Sequence, residues 1–280
     1  MKFFRSRGRN NPGQTTSSPL TQAMALYQAG RYAEAEAAAR AVAEARSRLR
    51  DDMYAPLALN LAAIATNAQG RHAEACAAHD ALLPVFGRIF GAEHPQTLKL
   101  RSDRAQTLTA LARHAECEAE CAAVARVAAR GTGPEMPFIA AAARNGQIYA
   151  LNALGRHEEA EALAREALAA HGTPDRFSLV LRLGLVRSLN GQGRHEEALA
   201  EAERADELRS SRPQEQHGAE TGAVELALAT ALLGLGRGTE ARTRAAAAHD
   251  ACLAAFGPDH RRTTEALALL DRVDGARPGH

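Results

Sequence analysis

Gly155-Arg156-His157-Glu158-Glu159-Ala160 and Gly193-Arg194-His195-Glu196-Glu197-Ala198 are two copies of a phrase that this chain writes six times. The others are Gly30-Arg31-Tyr32-Ala33-Glu34-Ala35, Gly70-Arg71-His72-Ala73-Glu74-Ala75, Ala112-Arg113-His114-Ala115-Glu116-Cys117 and Gly236-Arg237-Gly238-Thr239-Glu240-Ala241. Successive copies begin 40, 42, 43, 38 and 43 residues apart. Such a period marks a repeat architecture, in which each unit buries its apolar face only against the next. The glycine suits the left-handed conformation that ends a helix, because it has no Cβ to clash. The glutamate four residues on falls in the first turn of a following helix, where the helix dipole favours negative charge. The residue after it is small in every copy, which predicts a point where one helix backbone presses on another.

Working outward, Ala/Leu-rich amphipathic segments flank the phrase, such as Leu57 to Gln69 and Ala140 to Leu154 before it and Ala160 to Ala170 after it. The predicted unit is helix, tight turn, helix, loop. Chain breakers fall between units, at Pro95, Gly131-Thr132-Gly133-Pro134, Gly172-Thr173-Pro174 and Pro213. Two seams share a longer phrase, Phe90-Gly91-Ala92-Glu93-His94-Pro95-Gln96-Thr97 and Phe256-Gly257-Pro258-Asp259-His260-Arg261-Arg262-Thr263, in which the histidine is expected to cap or pack the loop. Each begins 20 residues after its turn glycine, so the match is in phase with the repeat. His260 to Val273 then reads as a single capping helix. Three irregularities carry expectations. Ala112 in the glycine position costs about 1 kcal/mol if the left-handed geometry is kept. Pro84 should kink or end its helix near Leu83. Gly238, in place of His or Tyr, should loosen the last unit.

With this period and the Phe-Gly-x-Glu/Asp-His seam, the chain resembles the tetratricopeptide repeats. The likeness is to the kinesin-light-chain-type subclass, common in actinobacterial proteins; a basic set with only Lys2 and Lys99 as lysines fits a high-GC genome. The resemblance implies an all-α, right-handed solenoid of six helical hairpins plus a C-terminal cap over residues 20–273. A basic and polar leader (1–19) and a disordered tail (274–280) would flank it. It further implies a non-enzymatic protein-binding scaffold whose first helices line a concave groove.

Composition narrows the function classes. Of 280 residues, 46% are hydrophobic and 24% charged, and 34 basic against 33 acidic side chains leave a net charge of only +1. Outside the arm Met1-Lys2-Phe3-Phe4-Arg5-Ser6-Arg7-Gly8-Arg9 there is no basic excess, so nucleic acid is not an expected partner. No apolar run reaches the roughly 20 residues of a membrane span. The arm has no apolar stretch behind it that would make a secretory signal. Four scattered cysteines read as reduced thiols, hence a cytoplasmic location. No phosphate-loop, nucleophile-elbow or zinc-protease pattern is present, so neither enzyme activity nor a cofactor is expected. His114, Cys117 and Cys121 could share a helix face as soft metal ligands. The repeat register accounts for the first two, however, and a fourth ligand has no source, so no metal is expected.

The first helices hold the candidate binding residues. Asn67, Asn152 and Asn190 each stand three residues before their turn glycine, and Asn60 and Asn145 ten before it. Seven residues make two helical turns, so the members of each pair share a face. Asparagine costs up to about 0.7 kcal/mol against alanine in a helix, so its repeated use calls for a reason. One reading is a ladder of amides for the backbone of an extended peptide. The other, for the late asparagines, is satisfaction of helix-terminal carbonyls. Arg101, Arg144 and Arg182 each stand eleven residues before their turn, as a cationic stripe for carboxylates or as a solvated face paired with nearby Glu. The expected function is binding of an extended, acidic or C-terminal peptide in the groove. The alternatives are a peptide sensor that changes curvature, with Pro84 as a hinge, and a self-associating structural module.

Overall fold

The computed structural model describes residues 19–46, 52–211, 220–258 and 260–275. Among them are thirteen helices and no strand. Six helix–turn–helix pairs succeed one another: α1 (Pro19–Gln28) with α2 (Tyr32–Arg46), α3 (Tyr54–Ala68) with α4 (His72–Ile89), α5 (Pro95–Ala110) with α6 (His114–Arg130), α7 (Met136–Ala153) with α8 (His157–His171), α9 (Arg176–Gly191) with α10 (His195–Ser210), and α11 (Ala223–Gly234) with α12 (Gly238–Phe256). A single helix, α13 (Arg261–Gly275), follows. The basic arm, the seam at Pro213 and most of the expected tail lie outside the described residues.

The chain divides into two compact units, with the boundary inside α4 between Ala78 and His79. In the first, α2 packs on both α1 and α3 around Ala23, Ala39, Leu61 and Ala62. In the second, consecutive helices pack along the chain from α5 to α13. The first helices also touch one another in a row: α5 on α7, α7 on α9, α9 on α11 and α11 on α13. The capping helix thus continues the row of first helices. Its core alternates large and small residues. Leu179, Leu185 and Leu189 of α9 meet Ala160 and Ala164 of α8 and Ala202 of α10, all buried. Alanine lets helices approach closely while remaining the strongest helix former.

Every turn closes in the same way. The amide of the glycine bonds the carbonyl three residues back and the arginine amide bonds the one five back, as in Gly155→Asn152 (3.1 Å) and Arg156→Leu151 (2.9 Å). Gly30, Gly70, Gly155, Gly193 and Gly236 have φ of 72–80°, and Ala112 adopts 55° in the same place. The phrase's Arg and Glu pair with each other in all six copies, at 2.5–2.8 Å. The small residue that ends the phrase (Ala35, Ala75, Cys117, Ala160, Ala198, Ala241) is buried each time.

Of the two outcomes expected at Pro84, the ending does not occur: α4 runs through Pro84 to Ile89. Proline removes the hydrogen bond to the carbonyl of Asp80. Both residues are exposed, so water can satisfy that carbonyl. The two seams share three contacts. His94 Nδ1 accepts from Gln96 N and His260 Nδ1 from Arg262 N, both at 3.2 Å. Their rings stack on Phe90 and Phe256. Thr97 and Thr263 donate to the carbonyls of Gly91 and Gly257 at 2.7 and 2.8 Å.

Candidate functional site

The late asparagines are clasps within hairpins. Asn67, Asn152 and Asn190 each accept, through Oδ1, from Nδ1 of the histidine five residues on (His72, His157 and His195) at 2.7, 3.0 and 3.1 Å. An amide oxygen only accepts, so each imidazole carries its proton on Nδ1. Asn152 is 6% exposed, and its Nδ2 faces Ile148 O (3.1 Å), Gly184 O (3.3 Å) and Ser188 Oγ (3.0 Å). Its amide is used up in packing α7 on α8 and α9, which removes it from any peptide ladder. The rings of His157 and His195 lie so close to Gly191 and Gly234 of the next first helix that a methyl group there would fall within the ring's van der Waals envelope. In the first hairpin the same two positions hold Tyr27 and Tyr32, whose rings sit 5.4 Å apart. In the third, Thr109 replaces Asn and bonds Cys117 Sγ (3.2 Å), and the buried Nδ1 of His114 has no partner among the described residues.

The cationic stripe is also mostly internal. Arg101 Nε donates to Glu120 of its own hairpin at 2.6 Å, and Arg182 Nη1 to Glu201. Both glutamates lie nineteen residues on, because a side chain eleven residues before the turn points at the hairpin's second helix. Arg144 is held more loosely, by Gln147 Oε1 at 3.3 Å and Glu166 at 4.0 Å. Arg101 and Arg182 thus each give a donor to a glutamate of their own hairpin.

Asn60, on α3 of the first unit, is half-buried. Asn145, on α7, is also half-buried, and it stands four residues before Tyr149 on one helix face. Tyr149 is the centre of a constellation that the repeat spacing did not single out. The guanidinium of Arg187 (α9) lies 5.2 Å from its ring centroid and that of Arg261 (α13) 5.1 Å. Arg261 Nη1 also donates to the Tyr149 hydroxyl. His114 (α6) approaches the ring edge-on at 6.3 Å, and Glu265 (α13) lies 3.9 Å from Arg187. Cation–π contacts join α7 to two later first helices, one of them 112 residues away. One signal was available: Tyr149 and Arg187 both stand six residues before their turn glycine, in equivalent places on successive first helices.

Other candidates offer less. The four cysteines are free and buried. Hydrogen bonding to Cys121 and Thr109 outweighs burial and lowers the Cys117 thiol, while that same bond and burial push Cys121 up. Among the described residues, no three His, Cys, Asp or Glu side chains converge on a metal position, and no helix is long and apolar enough to cross a membrane. A cleft of about 630 Å³ beside α10, α11 and α12 is lined by charges largely closed among themselves, Arg237 with Glu240 and Arg244 with Asp206.

Residues 53–119, from the residue before α3 into α6, match the tetratricopeptide repeat family model. No curated protein sequence matches the chain. Among solved structures, the chain resembles a putative kinesin light chain of Podosopora anserina with nearly identical TPR-like repeats. Identity is 19% and the TM-score 0.59, with 70% of this chain and 96% of that one covered; a single-substitution form of the same protein gives 19%, 0.60, 69% and 93%. An assembly chaperone of RpL4 (residues 1–338) aligns over 92% of this chain and 94% of its own at 15% identity and a TM-score of 0.52. The fold is thus that of stacked tetratricopeptide-like hairpins, and its neighbours are kinesin-light-chain-like repeat proteins.

Proposed function

We propose that this protein is a non-enzymatic interaction scaffold that binds an acidic segment of a protein partner on the first-helix face of its second unit. Tetratricopeptide repeats are generally protein-interaction scaffolds, so a protein partner is the coarse expectation. The observation that carries the finer reading is the exposed pair Arg187 and Arg261 gathered around one tyrosine on helices of the same row. Guanidinium groups so placed suit carboxylates, which they can bind through two parallel hydrogen bonds. Asn145 adds an amide on the same face of α7, and Arg144, the loosest of the stripe, lies beside it. Asn60 and Asn67 belong to the first unit and are proposed only as a separate polar face there. Cytoplasmic location rests on the four free thiols. No cofactor, metal or nucleic acid enters this reading.

Selection from a displayed library of random peptides against wild type and an Arg187→Ala/Arg261→Ala variant tests it. Enrichment of Asp- and Glu-rich peptides by wild type and their loss on the variant is the expected result. Peptides that bind both proteins equally would move the binding surface elsewhere. Absence of peptide binding, with a mass that rises with concentration, would favour self-association.

A further inference from the structure

We infer that α13 acts as an internal competitor for the Tyr149 site, with Glu265 standing where a carboxylate of the acidic partner would bind Arg187. This inference rests on the proposed acidic ligand and adds its regulation. In the chain as it stands, both cations are occupied from within. Arg261 spends a donor on the Tyr149 hydroxyl and lies against its ring. Arg187 lies against the same ring and 3.9 Å from Glu265. Arg261 and Glu265 are four residues apart and so project from one face of the first turns of α13.

The contacts are built to be exchanged. Arg187 and Glu265 are 47% and 46% exposed, and at 3.9 Å their pairing is at the outer edge of an ion pair. An exposed pair of this kind contributes little and is screened by salt. The helix itself is anchored independently. Ala266 and Leu269 pack with Leu226, Ala229, Ala245 and Ala248, and Val273 with Leu232 and Ala241. Only the side chains at its N-terminal end need to move to release the two guanidiniums. An incoming carboxylate would replace Glu265 on Arg187 and draw Arg261 from the tyrosine hydroxyl. No backbone hydrogen bond of α13 need break.

Two measurements test the competition. In fluorescence anisotropy at low ionic strength, a fluorescein-labelled hexaglutamate peptide should bind Glu265→Gln about two- to fivefold more tightly than wild type, the range that one exposed ion pair supplies. Arg187→Ala should bind it more weakly than wild type. Tyr149→Phe should also bind hexaglutamate more tightly than wild type, since that variant loses the acceptor that holds Arg261. Equal or weaker binding by Glu265→Gln, with binding still dependent on Arg187, would overturn the competition while leaving the acidic-ligand reading intact. Unchanged affinity in Tyr149→Phe would overturn the hold of the tyrosine on Arg261. If no protein binds hexaglutamate, the acidic-ligand reading falls, and the role given to Glu265 falls with it.

Discussion

At single residues, the same side-chain type does different work in different places. Asn152 fills a buried polar junction, whereas Asn145, four residues before Tyr149, is only half-buried and lies outside that junction. Asn152→Ala should therefore cost about 1–3 kcal/mol in urea unfolding, because it orphans buried groups. Asn145→Ala should stay within about 0.5 kcal/mol. Ala112 is the one non-glycine described residue with positive φ, at 55°. Ala112→Gly should raise the unfolding free energy by about 0.5–1 kcal/mol, as strain is relieved against a more flexible unfolded chain. His79, 1% exposed and beside Thr107, is pushed by burial down to about 4, with Arg104 acting in the same direction and Asp80 opposing. Its ordinary value is about 6.5, so between these limits the unfolded chain binds the proton that the folded chain refuses. Stability should fall as pH drops from about 6.5 towards 4. His79→Gln should flatten that slope in unfolding curves measured across the interval.

At the level of hairpins, one polar network is built twice. Glu36 of α2 accepts from Gln69 (2.8 Å) and Arg71 of the next turn and pairs with Arg40 (2.9 Å). Glu161 of α8 does the same with Gln192 (2.8 Å), Arg194 (2.5 Å) and Arg165 (2.8 Å). Burial works against the charge on Glu161, but its hydrogen bonds and arginine neighbours hold its pKa below the usual carboxylate range. A double-mutant cycle on Glu161 and Arg194 should give a favourable coupling that shrinks in 1 M salt. A coupling near zero would make the network ornamental to the α8–α9 junction. Such pairs explain what was legible beforehand and what was not. The turn phrase could be read because backbone geometry demands its glycine and every copy lies within six residues. Its glutamate reads from position as a partner of the helix dipole alone, although an arginine stands three residues earlier in every copy. The asparagines and histidines likewise look independent in the sequence, although Asn67/His72, Asn152/His157 and Asn190/His195 keep one spacing. Of the Tyr149 cluster only the shared register of Tyr149 and Arg187 was legible, because Arg261 and Glu265 join it only through the stacking of α7, α9 and α13.

At the scale of the stack, α13 shows how a row of helices is brought to a stop. Aligned on the shared seam, Leu98, Ala105 and Leu108 of α5 correspond to Thr264, Asp271 and Asp274 of α13. The first three are buried, while the second three are exposed. Mostly polar residues stand where α5 receives α6, with Leu267, 48% exposed, and Ala268 the apolar exceptions. The inner side remains apolar, so a chain ended at Gly257 should lose roughly 3–5 kcal/mol through exposure of the partners of Leu269 and Val273. Calorimetry would record this as a lower melting temperature, and an unchanged one would mean that the cap contributes no stability. The asparagine–histidine clasp has a further consequence, for how such a chain can lengthen in evolution. Its two members sit five residues apart on either side of one turn, whereas the rings of His157 and His195 lean on a glycine of the following hairpin. A duplication whose breakpoints fall in the loops between hairpins carries the clasp intact and needs only a glycine waiting at the new junction. One whose breakpoints fall inside the turn separates asparagine from histidine and must mend both ends, so the loops are where copies of this unit can be gained and lost.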